Sequence, residues 1–437
     1  MIRSALLLVA VLAAAVSFGK ALEPLKISFW IWGLYDMQPG GIYHNLDDRM
    51  KEAADRGFNC IRLDDGAGLY HTADGRPRGV VKLHPAFGKF SADLRQMVIT
   101  TPREVDPGKN LVEFVRAADR HGLSVILSSW YYLHTNWFLD ESINRELNED
   151  MPLERKFSYF ADELGHVISL LRRNGLVHRI AYAELLNEFD GLPFAGRYGD
   201  IKDLAYVDRL RGLHEAAIAR LKQANPDVKF AYDVARADFQ KELVPRNVDV
   251  IAFHNYYLWG IYGTFEHGGV WVTTEEIPIP PETRPYLIEK PFTISEVVAT
   301  RGGNLRTGND WNARARLYSS LDTYKVPQVE AALEARLQRE WKDYLARFEK
   351  SVANVLKIRD ATVPSAELVF AEGVSYCASN RLLFEEHSDL YWRMLLEQQK
   401  ILKKAGVRGS VVRTTNGPED PAWLLRSAEL KAANDLL

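Results

Sequence analysis

Eight short, almost wholly apolar runs, each separated from the next by intervening chain with helical spacing, constrain this chain more than any other feature. They span Lys26–Gly33, Phe58–Leu63, Leu123–Ser129, Ile180–Leu186, Val228–Val234, Asp249–Asn255, Glu367–Gly373 and Gly409–Thr414. A run without polar alternation is what a parallel strand covered on both faces requires. Eight strand–helix repeats predict a (β/α)8 TIM barrel of the α/β class, closed so that every strand has two neighbours and no edge is open. No linker rich in Pro, Gly or Ser splits the chain, so a single domain is expected over residues 22–437. The exception to its regularity is a long insertion at about 259–327, where Pro278, Pro280, Pro281, Pro285, Gly302 and Gly303 cluster. Long structured loops at the mouth of a barrel are usually functional.

Helix ends are readable between the runs. Asp106-Pro107 is an N-cap followed by a proline at the first helical position, and that helix should stop at His121-Gly122. Asp420-Pro421 repeats the device for a terminal helix ending near Leu437. Val329, Leu333, Leu337, Trp341, Leu345, Phe348, Val352 and Leu356 are spaced three and four apart, which predicts one long helix with a buried stripe.

The first residues are a separate object. Arg3, an apolar run from Ala5 to Val16, and small residues at Gly19 and Ala21 read as a secretory signal peptide over residues 1–21. The run is shorter than a bilayer span, so a secreted or periplasmic chain without a membrane span is expected. Across 437 residues, 55 Lys+Arg face 58 Asp+Glu. Neither sign dominates, which excludes a basic nucleic-acid binder and a disordered acidic tail. Cys60 and Cys377 are too few for a disulfide scaffold, and both are expected as buried free thiols. There is no G-x-G-x-x-G after a strand, no P-loop, no G-x-S-x-G elbow and no H-x-H or H-E-x-x-H, so no cofactor and no metal are expected.

In a barrel, catalytic groups stand at the C-terminal ends of strands. Those positions hold Asp64 and Asp65, Trp130 through His134, Asn187-Glu188, then His254, Tyr256 and Tyr257, and Glu372. Two glutamates at separate strand ends suit glycoside hydrolysis, one protonating the leaving oxygen and the other attacking or activating water. If they face each other, repulsion and burial raise one carboxyl and leave the other ionised. Glu296 is the rival of Glu372, because KPFTISEVV also reads as a strand ending in glutamate. Choosing Glu296 leaves a ninth strand over; choosing Glu372 closes the count at eight, with the long helix as the sixth crossover.

The segment AELLNEFDG, closing on Asn187-Glu188, resembles the Asn-Glu pair of the clan A retaining glycoside hydrolases. FNCIRLDD, FHNYY and LVFAEG resemble strands two, six and seven of glycoside hydrolase family 5, and VDPGKNLVEFVRAADRHGLSVIL its passage from helix two to strand three. The resemblance runs from about Ile27 to Arg413. It implies that Glu188 is the general acid/base and Glu372 the nucleophile of a double displacement, without cofactor or metal. It further implies that Asn187 binds the sugar 2-hydroxyl, Arg62 holds the nucleophile ionised, Tyr256 donates toward Glu372, and His254 faces substrate or the acid/base. The chain departs from the family at three places: Phe189 follows Asn-Glu in place of proline, strand three ends in SSWYYLHT, leaving His134 or Trp130 as the substitute there, and strand eight offers Arg413 where a tryptophan is usual. An arginine there either recognises an acidic group on the sugar or is a barrel ion-pair partner.

Sugars stack their C–H faces on aromatic rings. Trp30, Trp32, Trp130, Trp137, Trp259 and Trp271 fall near the mouth, with Trp130 and Trp259 the better candidates for subsites. The expected activity is retaining cleavage of β-linked oligo- or polysaccharides, with a non-catalytic carbohydrate-binding barrel as the alternative.

Overall fold

The computed structural model describes residues 22–95, 97–130, 138–190, 198–262, 279, 281, 283–299, 309–375, 377 and 379–437. Eight parallel strands form a closed barrel: β1 (Leu25–Phe29), β2 (Cys60–Asp64), β3 (Ser124–Ser128), β4 (Ile180–Glu184), β5 (Phe230–Val234), β6 (Val250–Asn255), β7 (Glu367–Gly373) and β8 (Gly409–Val411). They follow one another around the barrel in chain order, and β1 closes it against β8 through Leu25↔Gly409, Lys26↔Ser410 and Ile27↔Val411. All eight lie on the apolar runs. Strands β2 and β5 are buried at every residue, as a strand sandwiched between helices and a filled interior must be. The first and last runs give shorter strands than expected. Trp30 and the residues after it leave the ladder for turns, and beyond Val411 the chain turns toward the mouth.

The crossover helices are α1 (Leu46–Asp55), α2 (Pro107–Arg120), α3 (Leu153–Arg173), α4 (Leu204–Ala224), α5 (Val326–Thr362) and α6 (Asp389–Lys404), with α7 (Ser427–Leu436) after β8. Between β5 and β6 only a single 3₁₀ turn, Lys241–Leu243, takes a helix's place. Helix α2 begins as expected: the Asp106 carboxylate accepts the Lys109 amide and Pro107 fills the first position. Helix α5, 37 residues long, is the sixth crossover. Its buried stripe is Val329, Leu333, Leu337, Tyr344, Phe348, Val352 and Val355; Trp341, Leu345 and Leu356 are only half-buried. The terminal helix is broken at Arg426, whose guanidinium turns back to the Glu386 and His387 carbonyls. Cys60 and Cys377 are buried free thiols. Among the described residues no helix is long and apolar enough to cross a membrane.

Candidate active site

A guanidinium fixes the centre of the barrel. Arg62 on β2 is fully buried, and a buried charge is tolerated only when partners surround it. Its Nη1 donates to Glu372 Oε1 at 2.6 Å, and its Nη2 lies 2.8 Å from Glu184 Oε2, 2.5 Å from Asn187 Oδ1 and 3.2 Å from Asp233 Oδ2. Ser128 at the end of β3 donates to Glu184 and accepts from Arg62 and from Trp130 Nε1. Four strands therefore hand their polar groups to one cation.

Above Arg62 sits a second cation. Both ring nitrogens of His254 face carboxylates: Nδ1 is 2.9 Å from Glu188 Oε1, and Nε2 is 3.1 Å from Asp233 Oδ2 and 3.5 Å from Glu372 Oε1. Burial opposes the charged ring, but Asp233 and Glu372 outweigh it and hold His254 well above the ordinary histidine range. Burial likewise pushes Asp233 up, yet His254, Arg62 and the Glu188 amide together hold it below its usual value. On Glu372 burial wins: the carboxyl is raised, with His254 and Arg62 pulling against that and Glu188 adding to it. Tyr256 Oη donates to Glu372 Oε2 at 2.6 Å. Glu184, beneath, is pushed up to about 7 by burial, against the pull of Arg62.

Two backbone irregularities aim the carboxylates. Along β6 and β7, Phe253 pairs with Phe370 but His254 pairs with Glu372, so Ala371 is an extra residue on β7. Side chains alternate along a strand, and this bulge puts Glu372 level with His254, on the same side of the sheet. Glu188, four residues past β4, has φ +51°, and its amide donates to Asp233 Oδ1 at 2.7 Å. Val374, two residues past Glu372, has φ +82°, a conformation β-branched residues rarely adopt. Non-glycine residues at positive φ concentrate at functional sites. Here one is Glu188 itself and the other lies two residues past Glu372.

One oxygen of Glu188, one of Glu372 and a ring nitrogen of His254 lie within 4.8 Å of one another. Such a spacing would suit a metal ion, but both His254 nitrogens are engaged by carboxylates, and an imidazolium has no lone pair to offer. The chemistry of the cluster is that of two facing carboxyls, one 18% exposed and the other nearly buried.

A family model described as cellulase-like and sugar-binding matches residues 27–269, from β1 past β6. The chain belongs to the sugar-binding cellulase-like family. Similar solved structures include a candidate glycoside hydrolase from Parabacteroides distasonis ATCC 8503, with 17% identity, a TM-score of 0.62, and coverage of 95% of this chain and 94% of the other. Cel5A from Thermotoga maritima, solved in complex with a mannotriose substrate, has 10% identity and a TM-score of 0.50, covering 94% and 98%. At these identities the likeness is one of fold, and it agrees with the resemblance to clan A and family 5. No curated protein matches the chain.

In this cellulase-like barrel the structure brings Arg62, Asn187, Glu188, His254, Tyr256 and Glu372 together. Glu296 is not among them. It lies exposed on a short helix, Ile294–Val298, where its carboxylate closes a capping box with Thr293, so KPFTISEVV is not a strand. Trp130 is only 4% exposed; its ring packs on Phe29 and under the Arg62 guanidinium, so it supports the cation instead of offering a stacking face. Trp30 and Trp32 are core residues. Arg413 is an ion-pair partner, not a sugar ligand: it is 1% exposed and bound by Glu385, Glu386 and Asp420. His134, Trp137, Trp271, residues 1–21, the Trp259 side chain and most of 263–308 lie outside the described residues. Sequence reading missed Asp233 and Glu184. Each is a lone carboxylate inside an apolar strand, FAYDV and IAYAE, and such a residue demands a buried partner.

Proposed function

We propose that the protein is an exported glycoside hydrolase that cleaves β-linked glycans with retention of configuration. Glu188 acts as acid/base and Glu372 as nucleophile. The observation that carries this reading is the approach of the two glutamates, whose nearest candidate oxygens lie within 4.8 Å. Retaining enzymes hold their carboxyls about 5–5.5 Å apart, whereas inverting ones leave about 6.5–9.5 Å for a water. In the first step Glu188 protonates the glycosidic oxygen as Glu372 bonds to the anomeric carbon and the alcohol leaves. In the second, Glu188 takes a proton from water, whose oxygen displaces Glu372. Two cations, Arg62 and His254, face four carboxyls, Glu184, Glu188, Asp233 and Glu372, and burial raises Glu184 and Glu372 among them. Export rests on the signal-like residues 1–21.

The test uses an aryl β-glycoside that the wild type hydrolyses. Glu188→Gln is expected to lose about 100-fold or more in kcat/KM, Glu372→Gln to abolish turnover, and the first-formed sugar to keep its anomeric configuration by NMR. Full activity in either variant would overturn the assignment. The family's sugar-binding description, with Phe189 after the Asn-Glu pair, favours a second reading as a non-catalytic glycan-binding barrel. Calorimetric binding of oligosaccharides without turnover across a substrate panel would establish it instead.

A further inference from the structure

The carboxylate near the end of β5 has no place in the two-glutamate scheme, yet it touches three groups of the site, as Glu372 does. Asp233 is fully buried. Its Oδ1 accepts the Glu188 amide at 2.7 Å, and its Oδ2 accepts from His254 Nε2 at 3.1 Å and from Arg62 Nη2 at 3.2 Å. His254 in turn donates from Nδ1 to Glu188 Oε1 at 2.9 Å. The result is a ring: Asp233 reaches Glu188 once through its backbone and once through the imidazole to its carboxyl.

Each half of the ring has a physical consequence. The amide bond falls at the residue with φ +51°, a strained conformation that persists only where its surroundings impose it. The imidazole half depends on charge. The groups facing His254 are Asp233 from β5, Glu188 beyond β4 and Glu372 from β7. Arg62 from β2 contacts two of these acids, Glu184 from β4 contacts Arg62, and the Tyr256 hydroxyl contacts Glu372. A buried imidazole remains a cation only while facing carboxylates outweigh its burial, and at Nε2 Asp233 at 3.1 Å is nearer than Glu372 at 3.5 Å.

Resting on the reading of Glu188 as acid/base, we propose that Asp233 is a positioning residue that holds the Glu188 backbone in its left-handed turn and keeps His254 a cation against the Glu188 carboxyl. The amide bond aims Glu188 at the leaving oxygen, and the ring N–H fixes its carboxyl through Oε1. Asp233 touches neither substrate nor the reacting atoms.

The test has two arms. In the first, the full-length protein carries ¹⁵N-labelled histidine, and the His254 ring nitrogens are read at about pH 8.5, well above the ordinary histidine value of about 6.5. Both should be protonated in the wild type and in Asp233→Glu, and the ring should be neutral in Asp233→Asn. An unchanged ring in Asp233→Asn overturns the proposal. In the second arm, aryl β-glycosides with poor and good leaving groups are compared. Loss of acid assistance is worth about 100-fold or more, so Asp233→Asn should fall by that order on phenyl glycosides and by less than about threefold on dinitrophenyl glycosides, with Asp233→Glu recovering part of the loss. An equal loss on both substrates marks a merely structural residue and overturns the proposal. A wild type that turns over no glycoside, while the histidine signals still respond to Asp233→Asn, overturns the hydrolase reading and with it the catalytic role, but leaves the ring of contacts standing.

Discussion

Asp190 shows what burial does to a carboxyl that lacks the cations of its neighbours. It is 5% exposed, its Oδ1 accepts the Ala235 amide at 2.6 Å, and its Oδ2 has no hydrogen-bond partner among the described residues. Burial pushes it up to about 7, against the Ala235 bond, and Glu188 adds to the rise. An acid raised on folding stabilises the fold fully below its unfolded value of about 4, and that contribution is lost as pH rises through 7. Asp190→Asn should therefore be neutral near pH 4 and raise the unfolding free energy at about pH 8 by on the order of 1–3 kcal/mol, the gap opening between those limits in urea titrations. A gain independent of pH would show that the charge is not what costs stability. At this scale the site was legible wherever a polar residue closes a strand: Asn187, Glu188, His254, Tyr256 and Glu372 need only be counted. Arg62 was placed by resemblance alone. Asp233 and Glu184 lie within the apolar runs Val228–Val234 and Ile180–Leu186, and a rule that looks only past the ends of those runs passes over them. Trp130 was misread because being just past a strand end does not say which way the ring turns.

Between β6 and β7 the aim of Glu372 depends on one extra residue, Ala371, and on the two that follow it. Gly373 has φ +147°, and a Cβ there would lie 2.4 Å from the Asn255 carbonyl oxygen and 2.7 Å from the Phe370 ring. Its amide is held by Thr414 Oγ1 at 2.7 Å, which ties β7 to the chain beyond β8. Gly373→Ala should force β7 away from β6, lowering stability by about 2–4 kcal/mol and removing activity, both measurable on purified protein. A variant with wild-type stability would show that the strands can part freely. The bulge itself was invisible beforehand, because register depends on the partner strand. The helix at Glu296 was legible: Thr293 and Glu296 form the T-x-x-E signature of a capping box, and that signal should have outweighed a short apolar run. In α5 the period was right and the phase drifted, so that Tyr344 and Val355 took buried places assigned to Trp341, Leu345 and Leu356.

For the whole molecule, a second buried network does for the closure what Arg62 does for the site. Arg413, just past β8, joins Glu385 and Glu386 at 2.6 and 2.8 Å, and Arg95 pairs with Glu386 at 2.7 Å from the other side. The cations hold Glu386 at about 2 despite its burial. Removing one partner of such a set leaves an unpaired buried charge, so Arg413→Met is expected to cost about 3–5 kcal/mol while leaving the ratio of rates on neutral and acidic sugars unchanged. A selective loss on acidic sugars would instead make Arg413 a recognition residue. The fold was legible as a whole because eight two-sided apolar runs admit few other arrangements, whereas the insertion after β6 carries no periodicity from which to read a path.

Closure of β1 against β8 also has a consequence for synthesis. The strand made first waits for the strand made last, and Arg62 waits for Glu372, 310 residues downstream. At about 5–20 residues per second the interval is roughly 15–60 s, during which a nascent chain holds an unmatched guanidinium among exposed strand edges. A ribosome stalled between Glu188 and β7 would therefore carry a partial barrel with Glu188 and without Glu372, and under the proposed function hydrolysis should begin only after nearly the entire polypeptide has emerged.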